Sequence, residues 1–562
     1  MSKNKFYQKW YFKTILFVTL SITLVLALSK KEDKDYYEKT HNSLNLYNKT
    51  FKHLLVNYVD KIKPEKLAEV SMDEILNDLD PYTTLLTRKE KKPVEMLSKG
   101  KYGGIGVRIT MRNDTVTAIA PMDGGPAIRA GIRPGDQILK VDTVSTHGMS
   151  LSKVSETIRG KVGTEVKLTI RRPGTEGTTV YILTRAKIEV PKISYSGMLD
   201  NNTGYIRLTG FSKGAAKKFA SVLKNMSNAN PGFSSLVLDL RSNPGGLLSE
   251  ALGIAEMFIQ PGDTLLFTKG RTKQSNRVIR TKRNPIVNPN LKLTVLIDGG
   301  SASASEIVAG VIQDYDRGLI IGQRSFGKGL VQRVHKLDDE HSLKITSAKY
   351  YVPSGRCVQK PEFIDNPDLI FEEEEEDTVF YTQNGRKVIG GGGIEPDIKV
   401  EQEDYKKYRY SAFLISKNVF YNFAIKYKTE HDGLPDYTEV DEEITKEFKE
   451  YLANQDLNYE YKHEEKLKNI EEKLAEIDEF KELKNPFQKV YDIYRQKRLK
   501  EFEQNKKIIK RRIMGEFATL KGGTESRVES TLDYDRDIKK ALEVLNNNQD
   551  YMTILGYAGE EL

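Results

Sequence analysis

Ser301, Ser303 and Ser305 alternate through Gly300-Ser301-Ala302-Ser303-Ala304-Ser305-Glu306-Ile307, and Lys328 stands in Phe326-Gly327-Lys328-Gly329-Leu330-Val331-Gln332, twenty-five residues beyond Ser303. A serine hydroxyl is a weak nucleophile that needs a base within hydrogen-bond reach. Histidine is the usual base. The nearest downstream histidines, His335 and His341, sit among Lys336, Asp338, Asp339 and Glu340, a hydrophilic stretch that reads as an exposed hairpin. Lysine serves instead where burial lowers its pKa from about 10.4 towards neutrality, because desolvation disfavours the ammonium form. Gly327 and Gly329 remove bulk on both sides of Lys328, while Phe326, Leu330 and Val331 supply an apolar surround. If Lys328 begins a strand, Lys328, Leu330 and Gln332 share one face, and Gln332 can orient the lysine without adding charge. A phosphate-gripping lysine would need a Gly-x-x-x-x-Gly-Lys-Ser/Thr arrangement, which is absent.

Ser303-Ala304-Ser305-Glu306 matches a capping box, with Ser303 at the N-cap and Glu306 three positions on. The pattern predicts a helix over 304–313. A nucleophile at a helix start lies where unpaired N–H groups and the helix dipole favour a developing oxyanion. The residues alone leave Ser301, Ser303 and Ser305 as equal candidates.

The elements that position these residues are strands alternating with helices. Leu236-Val237-Leu238-Asp239-Leu240 and Leu293-Thr294-Val295-Leu296-Ile297 are near-continuous apolar runs, as expected of strands buried on both faces. Each leads through small residues into a predicted helix, over 246–259 and over 304–313. Leu319-Ile320-Ile321 leads to the lysine loop. The alternation predicts an α/β layered domain. Residues 35–98 read as helices, with Tyr47, Phe51, Leu54, Leu55 and Tyr58 at helical spacing and a turn at Leu79-Asp80-Pro81-Tyr82-Thr83. From 99 to 190 the texture is short strands broken by glycine: Val116-Thr117-Ala118-Ile119-Ala120 follows the Asn113-Asp114 turn, and Val166, Leu168 and Ile170 alternate with polar residues. Leu151, Val154 and Ile158 lie on one side of a short helix between them.

At 562 residues the chain exceeds one core. Lys+Arg 88 against Asp+Glu 79 gives +9, spread without a basic tract interleaved with aromatics, so a nucleic-acid partner is not expected. Residues 1–30 read as an export segment: Lys3, Lys5, Lys9 and Lys13 precede an uncharged run over 14–29, short for a membrane span, which serves as a cleaved signal or a retained anchor. Cys357 is the only cysteine, so no intramolecular disulfide is available, and nothing around it suggests an activated thiolate. The acidic run 372–377 lacks a calcium loop's spacing and reads as solvated surface. Residues 401–562 are Lys- and Glu-rich and helical. There Leu467, Ile470, Leu474 and Ile477 form a stripe that Asn485-Pro486 stops too early for a coiled coil. Those helices are expected to pack on the core or to dock an adaptor or a second copy.

Two stretches carry a resemblance. Tyr102-Gly103-Gly104-Ile105-Gly106-Val107 and Ala130-Gly131-Ile132-Arg133-Pro134-Gly135-Asp136-Gln137-Ile138-Leu139 resemble a PDZ domain. There Gly103, Gly104, Ile105, Gly106 and Val107 are implied to grip a peptide C-terminus with backbone N–H groups. Combined with Asp239-Leu240-Arg241-Ser242-Asn243-Pro244-Gly245-Gly246, the serine and lysine stretches, Tyr351-Val352-Pro353-Ser354-Gly355-Arg356 and Gly393-Ile394-Glu395-Pro396-Asp397, the chain resembles the C-terminal processing, or tail-specific, peptidases over about residues 35–400.

The resemblance implies a layered crotonase- or ClpP-like α/β peptidase core over 191–400. It adds a PDZ domain over 99–190, N-terminal helices over 35–98 and a C-terminal helical extension over 401–562. It implies that Ser303 is the nucleophile of a serine endopeptidase, Lys328 its general base and Gln332 the residue that positions the lysine. The oxyanion donors are implied to be Ala304 and a glycine, Gly246 ahead of Gly245. No metal or organic cofactor is implied. Substrates would be the C-terminal ends of exported proteins, in the periplasm, with an inner-membrane tie through residues 1–30 if that segment is kept. The alternative is a membrane-tethered, non-catalytic PDZ scaffold.

Overall fold

The computed structural model describes residues 35–557 apart from 89, 123, 361–377, 402–407, 432, 436–439, 456, 458, 460–461 and 476–483. The predicted export segment 1–30, the acidic run 372–377 and Ile477 lie outside the described residues. Two compact units divide after Leu85. The first holds a helix over 35–57 and the helix Pro64–Asn77, joined where the Tyr47 hydroxyl meets Ser71 Oγ at 2.7 Å. Its predicted turn forms because Asp80 Oδ1 accepts from the N–H groups of Tyr82 and Thr83, both at 2.8 Å.

Within the second unit, strands Val107–Arg112, Thr115–Pro121, Gln137–Val141, Glu165–Arg171 and Thr179–Thr184 follow one another as neighbours in an antiparallel sheet. Val116, Ile138, Val166, Leu168 and Ile170 point into one apolar core beneath the helix Leu151–Ile158, whose Val154 and Ile158 close it. This is the glycine-punctuated segment, and its turns sit where the sequence places them: Asn113 and Asp114 both take positive φ, at 46° and 53°.

The layered α/β core is a six-stranded sheet in the order Ile193–Met198, Thr203–Leu208, Ser235–Asp239, Lys292–Ile297, Leu319–Gly322, Ile398–Lys399. The first pair is antiparallel and the rest are parallel. Side chains alternate along each strand. Leu236 and Leu238 therefore face the helices Ala215–Ala229, Leu248–Ala255 and Ala304–Asp314, while Val237 faces the other side. That second face is covered by distant residues: Ile538, Ala541, Val544, Leu545, Tyr551 and Leu555 pack on Tyr205, Val237, Leu296, Leu319 and Ile321. The apolar runs are thus buried on both faces, and part of the extension expected over 401–562 is a layer of the core.

The rest of that extension forms its own cluster. Phe420, Phe423, Phe448, Ile509, Ile513 and Phe517 come together from the helices Val419–Glu430, Glu442–Ala453 and Lys484–Glu529. The long helix breaks at Gly523, φ 73°, where a side chain would press on Ala120 of the PDZ sheet at 3.0 Å. Arg112 of the PDZ sheet meets Glu516 at 3.0 Å and lies 4.4 Å over the Tyr421 ring.

Candidate active site

Three parallel strands lying side by side, Ser235–Asp239, Lys292–Ile297 and Leu319–Gly322, release their C-terminal ends into three loops. Those loops carry Gly245 and Gly246, the serine stretch and Lys328. In open α/β sheets this edge is where ligands bind.

The serine loop sorts its three hydroxyls. Ser301 is fully buried; its Oγ donates to Leu240 O at 2.8 Å and accepts from the Asp298 N–H at 3.0 Å. Ser305 is also fully buried, and its Oγ donates to Asn243 O at 2.8 Å. Ser303 is half-buried. It stands directly before the helix Ala304–Asp314 with φ 54° and ψ −109°, a conformation that costs a non-glycine residue about 1–3 kcal/mol. Two serines are therefore committed to holding the turn, and the one at its strained apex reaches solvent.

Glu306 holds that strain. Its fully buried carboxylate accepts from the Ser303 N–H at 2.7 Å and the Lys328 N–H at 2.8 Å on one oxygen. The other oxygen accepts from Ser325 Oγ at 2.6 Å and the Gly327 N–H at 2.7 Å. Burial pushes the Glu306 carboxyl above its usual range, against these four bonds. Tyr350 completes the clamp from the carbonyl side: its hydroxyl lies 2.6 Å from Lys328 O and 3.1 Å from Ser303 O. Burial holds the Tyr350 phenol well above its usual pKa, so it remains a donor. One carboxylate and one phenol thus tie the backbone of Ser303 to that of Lys328.

The lysine loop differs from the expected strand. The ladder starts at Leu330, and a register shift falls between Val331 and Gln332. The N–H groups of Gly327 and Lys328 go to Glu306 and that of Gly329 goes to Gln359 at 2.9 Å, so no strand partner reaches them. The alternation that would set Lys328 and Gln332 on one face therefore does not apply. Gln332 is half-buried, and its Nε2 is buried without a hydrogen-bond partner among the described residues. His335 and His341 lie in the hairpin Leu330–Lys336 and His341–Tyr351, as expected.

On the oxyanion side the Gly245 N–H donates to Asn243 Oδ1 at 3.0 Å, which leaves Gly246 as the stretch's candidate donor. Gly245, φ 97°, packs so tightly on the serine turn that a Cβ there would lie 2.6 Å from Ala302 O and 3.0 Å from Ser303 Cβ. Ala304 opens the helix, where N–H groups lack intrahelical acceptors. At the far end of that helix, fully buried Arg356 meets Asp314 at 2.8 Å.

In the PDZ domain, Gly104, Ile105, Gly106 and Val107 line a groove of about 30 Å³ together with Ile109, Ser155, Ile158 and Arg159. Gly103 lies in the short strand Lys101–Gly104, paired with Ala186–Glu189, and lines an adjoining recess of about 830 Å³ that shares Tyr102 and Arg159 with the groove.

Peptidase family S41 matches residues 202–369 and the PDZ domain family matches 117–172. The carboxy-terminal-processing protease of Bartonella bacilliformis is 32% identical over 410 residues, covering 71% of this chain and 84% of that protein. The chain belongs to the carboxy-terminal-processing proteases of peptidase family S41. The protease is an enzyme of the serine peptidase class, which displaces the non-catalytic scaffold reading. A probable CtpA-like serine protease of Staphylococcus aureus (strain COL) is 34% identical over 380 residues, covering 65% of the protease and 75% of that relative. A solved photosystem II D1 C-terminal processing protease is 26% identical, with 63% and 86% of the two chains covered and a TM-score of 0.34. The C-terminal helical domain of probable PDZ-proteases matches residues 410–545, so most of the extension has a family of its own.

Sequence reasoning read Glu306 only as a cap and did not find Tyr350. The first was legible as an acid three residues after the serine. The second had no local signal, because Tyr350 lies in a strand whose contact with the site is made by folding alone.

Proposed function

We propose that this protease cleaves near the C-terminus of exported protein substrates through a dyad of Ser303 and Lys328. The observation that carries the reading is the single Glu306 oxygen shared by the N–H groups of both residues, which keeps the serine apex and the lysine loop in one fixed relation. Neutral Lys328 Nζ takes the proton from Ser303 Oγ, and the Oγ attacks the scissile carbonyl carbon. The N–H groups of Ala304 and Gly246 hold the oxyanion. The lysine then passes its proton to the leaving amine nitrogen, which departs with the C-terminal fragment. Water, losing a proton to the same lysine, attacks the acyl ester, and the lysine returns that proton to the departing Ser303 Oγ, which frees both residues. Gln332, with a buried amide donor in want of an acceptor, serves to position the lysine.

The PDZ domain supplies tail capture through Gly103, Gly104, Ile105, Gly106 and Val107. Capture seats the tail between the helix Leu151–Ile158 and the strand Val107–Arg112, where Gly104, Ile105, Gly106 and Val107 line the groove. Export rests on the Lys-flanked uncharged run over 14–29.

Incubating candidate substrates with wild-type, Ser303→Ala and Lys328→Ala protein, and reading new C-termini by mass spectrometry, tests the reading. Both variants should melt like the wild type and produce no new termini. Turnover above trace level in either variant overturns the dyad, and cleavage indifferent to amidation of the substrate's C-terminus overturns tail capture.

A further inference from the structure

The loop that holds Gly246 is anchored by a residue that the proposed mechanism leaves out. Arg241 follows the strand Ser235–Asp239, and three carboxylates surround its guanidinium. Nε and Nη2 reach Asp239 at 3.0 and 2.6 Å. Nη1 and Nη2 reach Asp535, both at 2.9 Å. Nη1 also donates to Asp537 at 2.6 Å. Asp239 is fully buried and also accepts from the Arg241 backbone N–H at 2.9 Å and from the Tyr205 hydroxyl at 2.6 Å. Asp239 alone would neutralise Arg241. The two further carboxylates come from 294 and 296 residues away, beyond what charge balance needs.

Those carboxylates stand on a fixed element. Asp535 is the N-cap of the helix Arg536–Asn546, accepting from the N–H groups of Asp537 and Ile538. The helix lies on the second face of the peptidase sheet through Ile538, Ala541, Val544 and Leu545. Its other end is pinned where Lys292 Nζ donates to Leu545 O at 2.9 Å. The loop it grips has one left-handed non-glycine residue to hold, Ser242 at φ 56°, whose N–H and hydroxyl are also held by Asp298 at 2.7 and 3.1 Å.

We propose that Asp535 and Asp537 are positioning residues of the protease, fixing through Arg241 the loop that aims the Gly246 N–H at the oxyanion. The C-terminal helical layer is then part of the catalytic apparatus, although neither carboxylate touches substrate. The inference rests on the oxyanion assignment made above. If the fork on Nη1 is lost, the start of the loop is held by Asp239 and by Asp298, which accepts from the Ser242 N–H at 2.7 Å, and the Arg241 end can shift and carry Gly246 out of line. Since the oxyanion exists only in the transition state and its adducts, the loss falls on kcat and not on KM.

The test is the full-length double variant Asp535→Asn/Asp537→Asn. Asparagine caps a helix as well as aspartate does, so the helix start survives while both charges go. Removing an oxyanion donor outright costs about 10²–10³ in kcat. A displaced one should cost about tenfold, with KM within about twofold of wild type and a parallel, about tenfold weaker inhibition by a peptide aldehyde, whose adduct with the serine carries the same oxyanion. Thermal melting reports folding, and if the double variant melts early the single variants Asp535→Asn and Asp537→Asn carry the measurement. A folded variant with wild-type kcat and wild-type aldehyde inhibition overturns the proposal, as does a loss in kcat with aldehyde inhibition unchanged. Fluorophosphonate labelling separates the two readings. Failure to label Ser303 in the wild type defeats the dyad itself, whereas normal labelling there and an equal rate in the variant defeats the positioning role alone.

Discussion

Glu306→Gln is the substitution that probes the clamp most directly. The amide has the shape of the carboxylate but keeps only one acceptor oxygen, while four donors converge on the site. If its NH2 took the place facing Ser303 and Lys328, two buried N–H groups would lose their acceptor. If it faces Ser325 and Gly327, the serine hydroxyl can turn to accept and only the Gly327 N–H is orphaned, so the second orientation prevails. One orphaned buried N–H costs about 1–3 kcal/mol, and two bonds that change from charged to neutral acceptor lose about 1 kcal/mol each. Against this, the variant no longer buries a charge, a relief signalled by the raised pKa of Glu306. The net expectation is a loss of about 1–4 kcal/mol in urea unfolding, with turnover down at least about tenfold because the Gly327 peptide next to Lys328 is released. The pH dependence follows from the direction of the shift. Between the ordinary value of 4.5 and the raised folded value, the native state holds the Glu306 proton more tightly than the unfolded chain does, so stability falls as pH rises through that window. The variant should lack this slope. Wild-type turnover together with a wild-type unfolding midpoint in Glu306→Gln would refute the clamp.

Gly245→Ala forces a Cβ to 2.6 Å from Ala302 O at a φ of 97°, and should cost about 2–4 kcal/mol in urea unfolding and lower kcat; an unchanged midpoint means the serine turn gives way. Ser301→Ala and Ser305→Ala remove buried bonds to Leu240 and Asn243 and should lower stability by about 1–3 kcal/mol each while Ser303 still reacts with a fluorophosphonate. Loss of labelling in a folded variant of either would move the nucleophile.

The strands of the core were legible because Leu236, Val237, Leu238 and their counterparts form apolar runs that only a doubly covered sheet can bury. What covered the second face was not. Ile538, Ala541 and Leu545 recur at helical spacing, yet nothing local distinguishes a helix that packs on its neighbours from one that crosses to a sheet hundreds of residues earlier. The lysine loop misled for a different reason. Its sequence favours a strand from Lys328, but Glu306 and Gln359 take the N–H groups a strand would need, and the ladder waits until Leu330. The choice among three serines needed family resemblance at first. In the structure Ser301 and Ser305 are buried in bonds to the turn while Ser303 is only half-buried, a difference in burial that no residue pattern carries.

The late residues that close the sheet also set an order of events. The strands Ser235–Asp239 and Lys292–Ile297 are synthesised long before Val544 and Tyr551, so until the final helices emerge one apolar face of the sheet lies bare and Arg241 lacks two of its three carboxylate partners. A chain emerging from the ribosome therefore completes the carboxylate set around Arg241 only after the helix Arg536–Asn546 has been made. The sheet that bears the serine and lysine loops is thus closed by the residues made latest among those that pack on it.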